Sequence, residues 1–195
     1  LFIISFSFFQ CKQEEAPKVA PVVTLSQPTN ITSNTATVSG SITSDGGESI
    51  IEKGVCWSST YKTPSILNSK TSEGTGSGTI SGSITGLMPG TTYNLRLYAT
   101  NSVGTGYSSV TTFKTLSSLP TITTTAISSL TNTSAVSGGN VSADGGESIT
   151  ARGVCWSNAE NPTVALSTKT LNGTGPGAYV SNITGLNPNT RYYVK

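Results

Sequence analysis

The fold is predicted by the stretch Ile84-Thr85-Gly86-Leu87-Met88-Pro89-Gly90-Thr91-Thr92-Tyr93-Asn94-Leu95-Arg96-Leu97-Tyr98-Ala99. Its first half contains the turn signal Pro89-Gly90. From Tyr93 onward, apolar and polar residues alternate with a period of two, which is typical of a strand with one buried face. The stretch therefore predicts a turn followed by a half-buried β-strand.

The same two signals recur on both sides of this stretch. Ala36, Val38 and Ile42 alternate with serine and threonine, and glycine turns follow at Asp45-Gly46-Gly47 and between Gly74 and Gly78. No segment has the 3.6-residue apolar period of a helix. About seven short strands in each stretch of about 95 residues, separated by turns, predict an all-β antiparallel sandwich.

The sequence repeats itself with an offset of 99 residues. Asp45-Gly46-Gly47-Glu48-Ser49-Ile50 returns as Asp144-Gly145-Gly146-Glu147-Ser148-Ile149, and Gly54-Val55-Cys56-Trp57-Ser58 returns as Gly153-Val154-Cys155-Trp156-Ser157. Aligned without gaps, residues 21–96 and 120–195 are identical at 30 of 76 positions. We therefore expect two tandem domains, 21–116 and 120–195, the second incomplete because it lacks the counterpart of the last strand.

The motif around Tyr93 closely resembles the end of a fibronectin type III domain. In that family, Leu-x-Pro-x-Thr-x-Tyr turns the chain between the fifth and sixth strands, and the tyrosine hydroxyl anchors this corner to nearby backbone. Tyr93 and Tyr192 hold that place here. The resemblance implies two tandem immunoglobulin-like sandwiches. The family usually has a tryptophan in an early strand, whereas Trp57 and Trp156 are predicted in the third strand. This variant resembles the tandem repeats of bacterial surface lipoproteins.

Composition restricts the chemistry that the chain can perform. Its 195 residues include 30 serines, 32 threonines and no histidine, with 11 basic and 9 acidic residues. The missing histidine removes Ser-His-Asp and Cys-His pairs and most zinc and copper sites. The sequence has no run of lysine or arginine residues that could bind along the phosphate backbone of a nucleic acid. We expect no enzyme activity, catalytic residue, cofactor, metal, nucleic-acid partner or small-molecule substrate.

The first ten residues are apolar and stop abruptly at Cys11. They are too few to span a bilayer as a helix, which needs about 20 residues. Residues 1–10 resemble the remnant of a bacterial lipoprotein signal, which implies that Cys11 is lipidated and that 11–20 is a flexible tether. The implied location is the outer membrane or cell surface of a gram-negative bacterium, with the membrane face undecided. A buried start with an incidental cysteine is the alternative.

Cys56 and Cys155 hold equivalent positions in the two repeats. Two cysteines inside separate sandwiches cannot approach within the ~7 Å that a disulfide requires. A buried thiol behaves as a small apolar group, and the basic residues closest in sequence, Lys53 and Arg152, point to the opposite strand face. We therefore expect Cys56, Cys155, Trp57 and Trp156 to be core residues.

Three further patterns resemble binding sites at first sight. Asp45 with Glu48, and Asp144 with Glu147, place two carboxylates on one loop, but the intervening glycines indicate a tight turn rather than a calcium site. The glycines of 74–78 indicate a loop, because a phosphate site would need a helix after them. Exposed Tyr61, Tyr98 and Tyr107 are the candidates for stacking on a sugar.

These observations favour a non-enzymatic, lipid-anchored surface protein whose tandem sandwiches act as a stalk or interaction spacer for a distal domain. Two other functions stay open. One is a glycan-binding or adhesin module, with surface proteins or glycans as partners. The other is the non-catalytic accessory region of a secreted hydrolase.

Overall fold

The computed structural model describes residues 15–195. The expected signal remnant, Cys11 and the first part of the tether lie outside the described residues. Within the described part, every regular element is a β-strand. Between residues 15 and 195, no helix has the length and apolar character needed to cross a membrane.

The first repeat contains eight strands. They are β1 (Val22–Leu25), β2 (Ala36–Ser44), β3 (Glu52–Ser58), β4 (Ser69–Lys70), β5 (Gly78–Ile84), β6 (Thr92–Thr100), β7 (Thr105–Tyr107) and β8 (Thr111–Lys114). One sheet has the order β1-β2-β5, and the other has the order β4-β3-β6-β7, with β8 also paired to β6. A ladder of seven residue pairs joins β3 to β6, from Glu52 opposite Thr100 to Ser58 opposite Asn94.

The core of the first repeat lies between these two sheets. Its buried apolar side chains include Val38 of β2 and Leu95 and Leu97 of β6. Gly40 of β2 lies against Leu97, and a Cβ at Gly40 would collide with the Leu97 side chain. The two sheets therefore approach closely, as in a β-sandwich.

The second repeat contains five strands. They are β9 (Thr121–Ser128), β10 (Ser134–Ala143), β11 (Trp156–Ser157), β12 (Gly177–Thr184) and β13 (Tyr193–Val194). One sheet has the order β9-β10-β12, and the other is the pair β11-β13. The predicted all-β fold, with tandem antiparallel β-sandwiches, is confirmed.

The strand of the second repeat that corresponds to β6 is β13, and it is much shorter than β6. β13 has two residues, whereas β6 has nine. Ile122 of β9 is 53% exposed, whereas its counterpart Val23 is 6% exposed.

The chain divides into two compact units whose bounds differ from those of the repeats. One comprises the described residues up to Gln27, with Val38–Gly82 and Asn94–Thr111; the other comprises Pro28–Thr37, Ser83–Tyr93 and Thr112–Lys195. The division into domains at 21–116 and 120–195 therefore stays a prediction from the repeat.

We predict that the backbone amides of Val154, Cys155 and Trp156 exchange with solvent at least about tenfold faster than their counterparts Val55, Cys56 and Trp57. The reason is the shorter ladder beside them, and a tenfold difference corresponds to about 1.4 kcal/mol of local opening free energy. Hydrogen exchange followed by NMR gives both sets in one sample. Equal protection of the two sets would contradict the prediction.

Candidate functional site

The predicted tyrosine corner is present in the geometry of both repeats. Tyr93 Oη accepts a hydrogen bond from Met88 N at 3.0 Å, and Tyr192 Oη accepts one from Asn187 N at 3.1 Å. The Tyr93 ring also stacks on Phe113, with 5.9 Å between ring centroids. Tyr93 is buried and Tyr192 is half-buried. Each tyrosine thus fixes the loop that carries the chain from one sheet to the other.

The two cysteines are buried free thiols. Burial raises the pKa of the Cys56 thiol to about 11, and the nearby cation of Arg96 opposes that shift only in part. The Cys56 Sγ donates a weak hydrogen bond to Arg96 O at 3.6 Å. Sequence reasoning identified only Lys53 as a basic neighbour, whereas strand pairing places Arg96 and Lys70 opposite Cys56. The thiol stays protonated near neutral pH.

The two tryptophans differ in burial. Trp156 is 8% exposed and belongs to the core of the second repeat. Trp57 is half-buried. In the ladder between β3 and β6, Trp57 lies opposite Leu95 and Cys56 lies opposite Arg96. Because successive strand residues face opposite sides of a sheet, Trp57 faces the core between the sheets and Cys56 is buried on the other face.

Tyr98 is completely buried, and its expected exposure was wrong. Its hydroxyl lies 2.9 Å from Glu52 Oε1 and 2.7 Å from Thr71 O, which share its single proton as acceptors. Lys70 Nζ donates to the same Glu52 oxygen at 2.8 Å and lies 5.5 Å from the centre of the Tyr98 ring. These groups form a polar cluster on the outer face of β3, β4 and β6.

The cluster holds its titratable groups in fixed protonation states. The hydrogen bond from Lys70, with a second from Tyr98, lowers the pKa of Glu52. Burial, followed by the neighbouring Glu52 carboxylate, raises the pKa of Tyr98. Near neutral pH, Glu52 is therefore charged and Tyr98 is neutral. This arrangement of satisfied polar groups stabilises the sheet face.

The other two tyrosines lie in different surroundings. The Arg96 guanidinium lies 4.4 Å from the centre of the Tyr107 ring, and Tyr107 Oη accepts a hydrogen bond from Ile66 N at 3.3 Å. Tyr61 is 60% exposed. Tyr61, Tyr98 and Tyr107 therefore do not form a shared exposed platform for a sugar.

The two Asp-Gly-Gly segments are tight turns. Asp45 Oδ1 accepts a hydrogen bond from Gly47 N, and Asp144 Oδ1 accepts one from Gly146 N, both at 2.9 Å. Glu48 forms an ion pair with Lys18, whose hydrogen bond lowers the pKa of the Glu48 carboxyl. Among residues 15–195, no group of three or more histidine, cysteine or acidic residues is placed to hold a metal ion.

Each glycine turn holds the segment that precedes its own repeat. Val19 N donates to Gly46 O at 2.9 Å, and Ser118 N donates to Gly145 O at 2.8 Å, again with an offset of 99. In the first repeat, the Asn101 side chain adds bonds to Val19 O at 2.7 Å and Asp45 O at 2.8 Å. We call residues 18–20 and 117–119 the lead-in segments. The sequence did not predict these segments, because they have no alternation of apolar and polar residues. The 99-residue offset that relates the two segments was the one available signal.

The glycine-rich loops face a cation of their own repeat. Lys53 Nζ donates to Ser77 O at 3.4 Å. Its counterpart Arg152 donates to Gly175, Pro176 and Gly177 carbonyl oxygens at 2.8–3.2 Å. A phosphate site would instead present N–H donors toward its ligand. The carbonyl oxygens of each loop therefore bind the basic side chain of their own repeat.

No protein-family model matches the chain, and no curated protein matches it. The chain is similar to the sensor domain of the anti-sigma factor RsgI4 in Pseudobacteroides cellulosolvens. Its short form gives 24% identity, a TM-score of 0.38 and coverage of 50% of this chain and 96% of that chain. The long form of the same sensor domain has 27% sequence identity and a TM-score of 0.35, and the match covers 49% of this chain and 89% of that chain. Domains A168–A170 of titin have 19% sequence identity and a TM-score of 0.36, and the match covers 51% of this chain and 32% of that chain. The fold is established here by the strand pairing described above.

We predict that the Cys56 thiol of the folded protein reacts with iodoacetamide at pH 8 about a hundredfold more slowly than in urea. The pKa of about 11, against 9.0 for an ordinary thiol, leaves about a hundredfold less thiolate. Peptide mapping by mass spectrometry separates Cys56 from the other cysteines. Equal labelling with and without urea would contradict the burial of this thiol.

Proposed function

We propose that the chain is a non-enzymatic spacer at a bacterial surface, attached through a lipid on Cys11, with fibronectin type III-like sandwiches as its rigid parts. Its role is to hold a distal domain or partner away from the membrane. The observation that carries the proposal is the pair of lead-in segments, each bonded to the glycine turn of its own repeat.

A spacer keeps its two ends at a constant separation only when the chain enters each rigid part at a fixed point. A free tether lets the far end approach the surface, because a flexible chain is on average much shorter than its contour length. Here the entry points are fixed at Val19 and Ser118 by bonds to Gly46 and Gly145. The ion pair between Lys18 and Glu48 adds a side-chain contact in the first repeat.

The polar cluster of the first repeat supports a structural role. Lys70 and Tyr98 both donate to Glu52, and the Arg96 side chain donates to Ser108 O at 2.8 Å. Polar side chains that satisfy each other in this way stabilise one packing arrangement. The site chemistry thus favours a rigid module over a reaction centre.

The membrane attachment rests on the apolar residues 1–10 and on Cys11, which are features of the sequence. Lipid chains on one cysteine would give a stable anchor, since each buried methylene contributes about 0.8 kcal/mol. Charged Lys12, Glu14 and Glu15 follow the cysteine. They suit a solvated connection between the lipid and the first lead-in segment.

We predict that Gly46→Ala increases trypsin cleavage between Lys18 and Val19 about tenfold. A Cβ at Gly46 would collide with the Val19 carbonyl, and a loss of about 1.4 kcal/mol would release the lead-in segment to that extent. The matched control is Gly74→Ala, which has the same type of positive φ but no atom within 4 Å of the added Cβ. Equal cleavage of the two variants would contradict the fixed entry point.

For the anchor, we predict that the chain, expressed from its own gene in a gram-negative host, incorporates labelled palmitate and sediments with membranes. Cys11→Ser should abolish both properties, whereas Cys56→Ser should keep both because Cys11 is unchanged in that variant. Gel fluorography and membrane fractionation provide the readouts. Labelled Cys11→Ser protein would overturn the lipid attachment and leave the fixed lead-in segments to be judged separately by proteolysis.

A further inference from the structure

The corner loop of the first repeat, at Pro89 and Gly90, is in direct backbone contact with Gly146 in the glycine turn of the second repeat. A Cβ added at Gly146 would lie 2.5 Å from Pro89 O and 2.6 Å from Gly90 N, and one added at Gly90 would lie 2.7 Å from Gly146 Cα. Real Cβ atoms essentially never approach another heavy atom within 3.0 Å. The two loops therefore meet through glycines, with no room for a side chain between them.

The conformation of the corner loop does not by itself require glycine at position 90. The value of φ is 58° at Gly90 and 54° at Asn189, its counterpart in the second repeat. The second repeat thus makes the same left-handed turn with asparagine, which tolerates this region better than most residues that have a side chain. The turn accepts asparagine, whereas the contact with Gly146 requires glycine.

The Asp-Gly-Gly turn of the first repeat has the same conformation without such a neighbour. Gly47 is the counterpart of Gly146, and φ is 82° at Gly47 and 85° at Gly146. A Cβ added at Gly47 would meet nothing closer than Lys18 Cγ at 3.8 Å, which is an ordinary van der Waals distance. The close contact at Gly146 is therefore a property of the connection between the repeats and not of the turn itself.

The first residue of that connection is held by the first repeat. Leu116 N donates a hydrogen bond to Thr32 O at 3.0 Å, and Gly90 N donates one to Leu116 O at 3.1 Å. Both backbone groups of Leu116 are thus paired. Gly90 therefore contacts the second repeat and bonds to the connection at the same time.

The next two residues of the connection are held by the second repeat. The Ser117 hydroxyl donates to Glu147 Oε1 at 2.8 Å, and Ser118 N donates to Gly145 O at 2.8 Å. Lys114 Nζ lies 3.6 Å from the same Glu147 oxygen. Each residue from 116 to 118 thus has a hydrogen bond to one of the two repeats, and none of the three is left as a free pivot.

The division of the chain into compact units agrees with these contacts. The second unit comprises Pro28–Thr37, Ser83–Tyr93 and Thr112–Lys195. It therefore contains the corner loop of the first repeat, the connection and the glycine turn of the second repeat. All the contacts described above lie within this one unit.

We propose that the corner loop of the first repeat is a docking surface for the Asp-Gly-Gly turn of the second, and that residues 116–118 form a fixed joint without a hinge. The surface fits a module whose turn has a glycine at its third position, as Gly146 is here. The proposal rests on the spacer role and extends it, because a flexible connection would let the two ends of a spacer approach each other.

The test compares Gly146→Ala with the matched control Gly47→Ala by hydrogen exchange followed by NMR. Both variants place a side chain at the same positive φ, but only Gly146→Ala inserts an atom between the two loops. We expect Gly146→Ala to accelerate exchange of the Gly90 and Leu116 amides at least about tenfold, and Gly47→Ala to leave them unchanged. These amides are distant in sequence from residue 146, so the contact is what transmits the effect.

A second variant, Gly90→Asn, tests the same contact from the other side and uses the residue that the second repeat has at this position. ¹⁵N relaxation should show the amides of Ser117 and Ser118 as rigid as those of β6 in the unaltered chain, and more mobile in both Gly146→Ala and Gly90→Asn.

Three results would overturn the joint: mobile amides at Ser117 and Ser118 in the unaltered chain, no acceleration at Gly90 and Leu116 in Gly146→Ala, or equal acceleration in Gly47→Ala. The spacer proposal is tested separately, because palmitate labelling and cleavage after Lys18 report on residues 11–19. Each proposal can therefore fail without the other.

Discussion

The structure depends on one constraint, which is that the chain must cross between two sheets without leaving its backbone unpaired at the crossing. The Tyr93 hydroxyl meets this requirement by accepting the hydrogen bond of Met88 N at the start of β6. A hydrogen bond of this kind contributes about 0.5–1.5 kcal/mol to stability. Once this corner is fixed, the Tyr93 ring provides a surface for Phe113, and Thr115 can bond to both sides of the loop. The sandwich of the first repeat is closed at this point.

The Asp-Gly-Gly turn between β2 and β3 fixes a second point of the chain. Asp45 closes the turn through Gly47 N, and the carbonyl of Gly46 then accepts from Val19. The same bonds recur at Asp144, Gly146, Gly145 and Ser118. A repeat that carries its own attachment point for the preceding chain suits a modular spacer, because each unit brings the geometry of its connection with it.

Much of this arrangement was predictable from patterns with a short period or a fixed offset. The alternation from Tyr93 to Ala99 identified a strand, and the 99-residue offset identified the tandem organisation. The exposure of Tyr98 was wrong for a specific reason. Gly54 lies opposite Tyr98 in the ladder and has no side chain, so the ring lies over it, and a Cβ at Gly54 would come within 3.0 Å of Tyr98 Cε1. Long-range register of this kind is not visible in one strand's sequence.

Our central claim is that the Tyr93 hydroxyl fixes the crossing between the two sheets of the first repeat through its hydrogen bond from Met88 N. The most direct measurement is the urea unfolding of a Tyr93→Phe variant, which keeps the ring that stacks on Phe113 and removes only the hydroxyl. We expect the free energy of unfolding to fall by about 0.5–1.5 kcal/mol. An unchanged free energy of unfolding in Tyr93→Phe would contradict the claim.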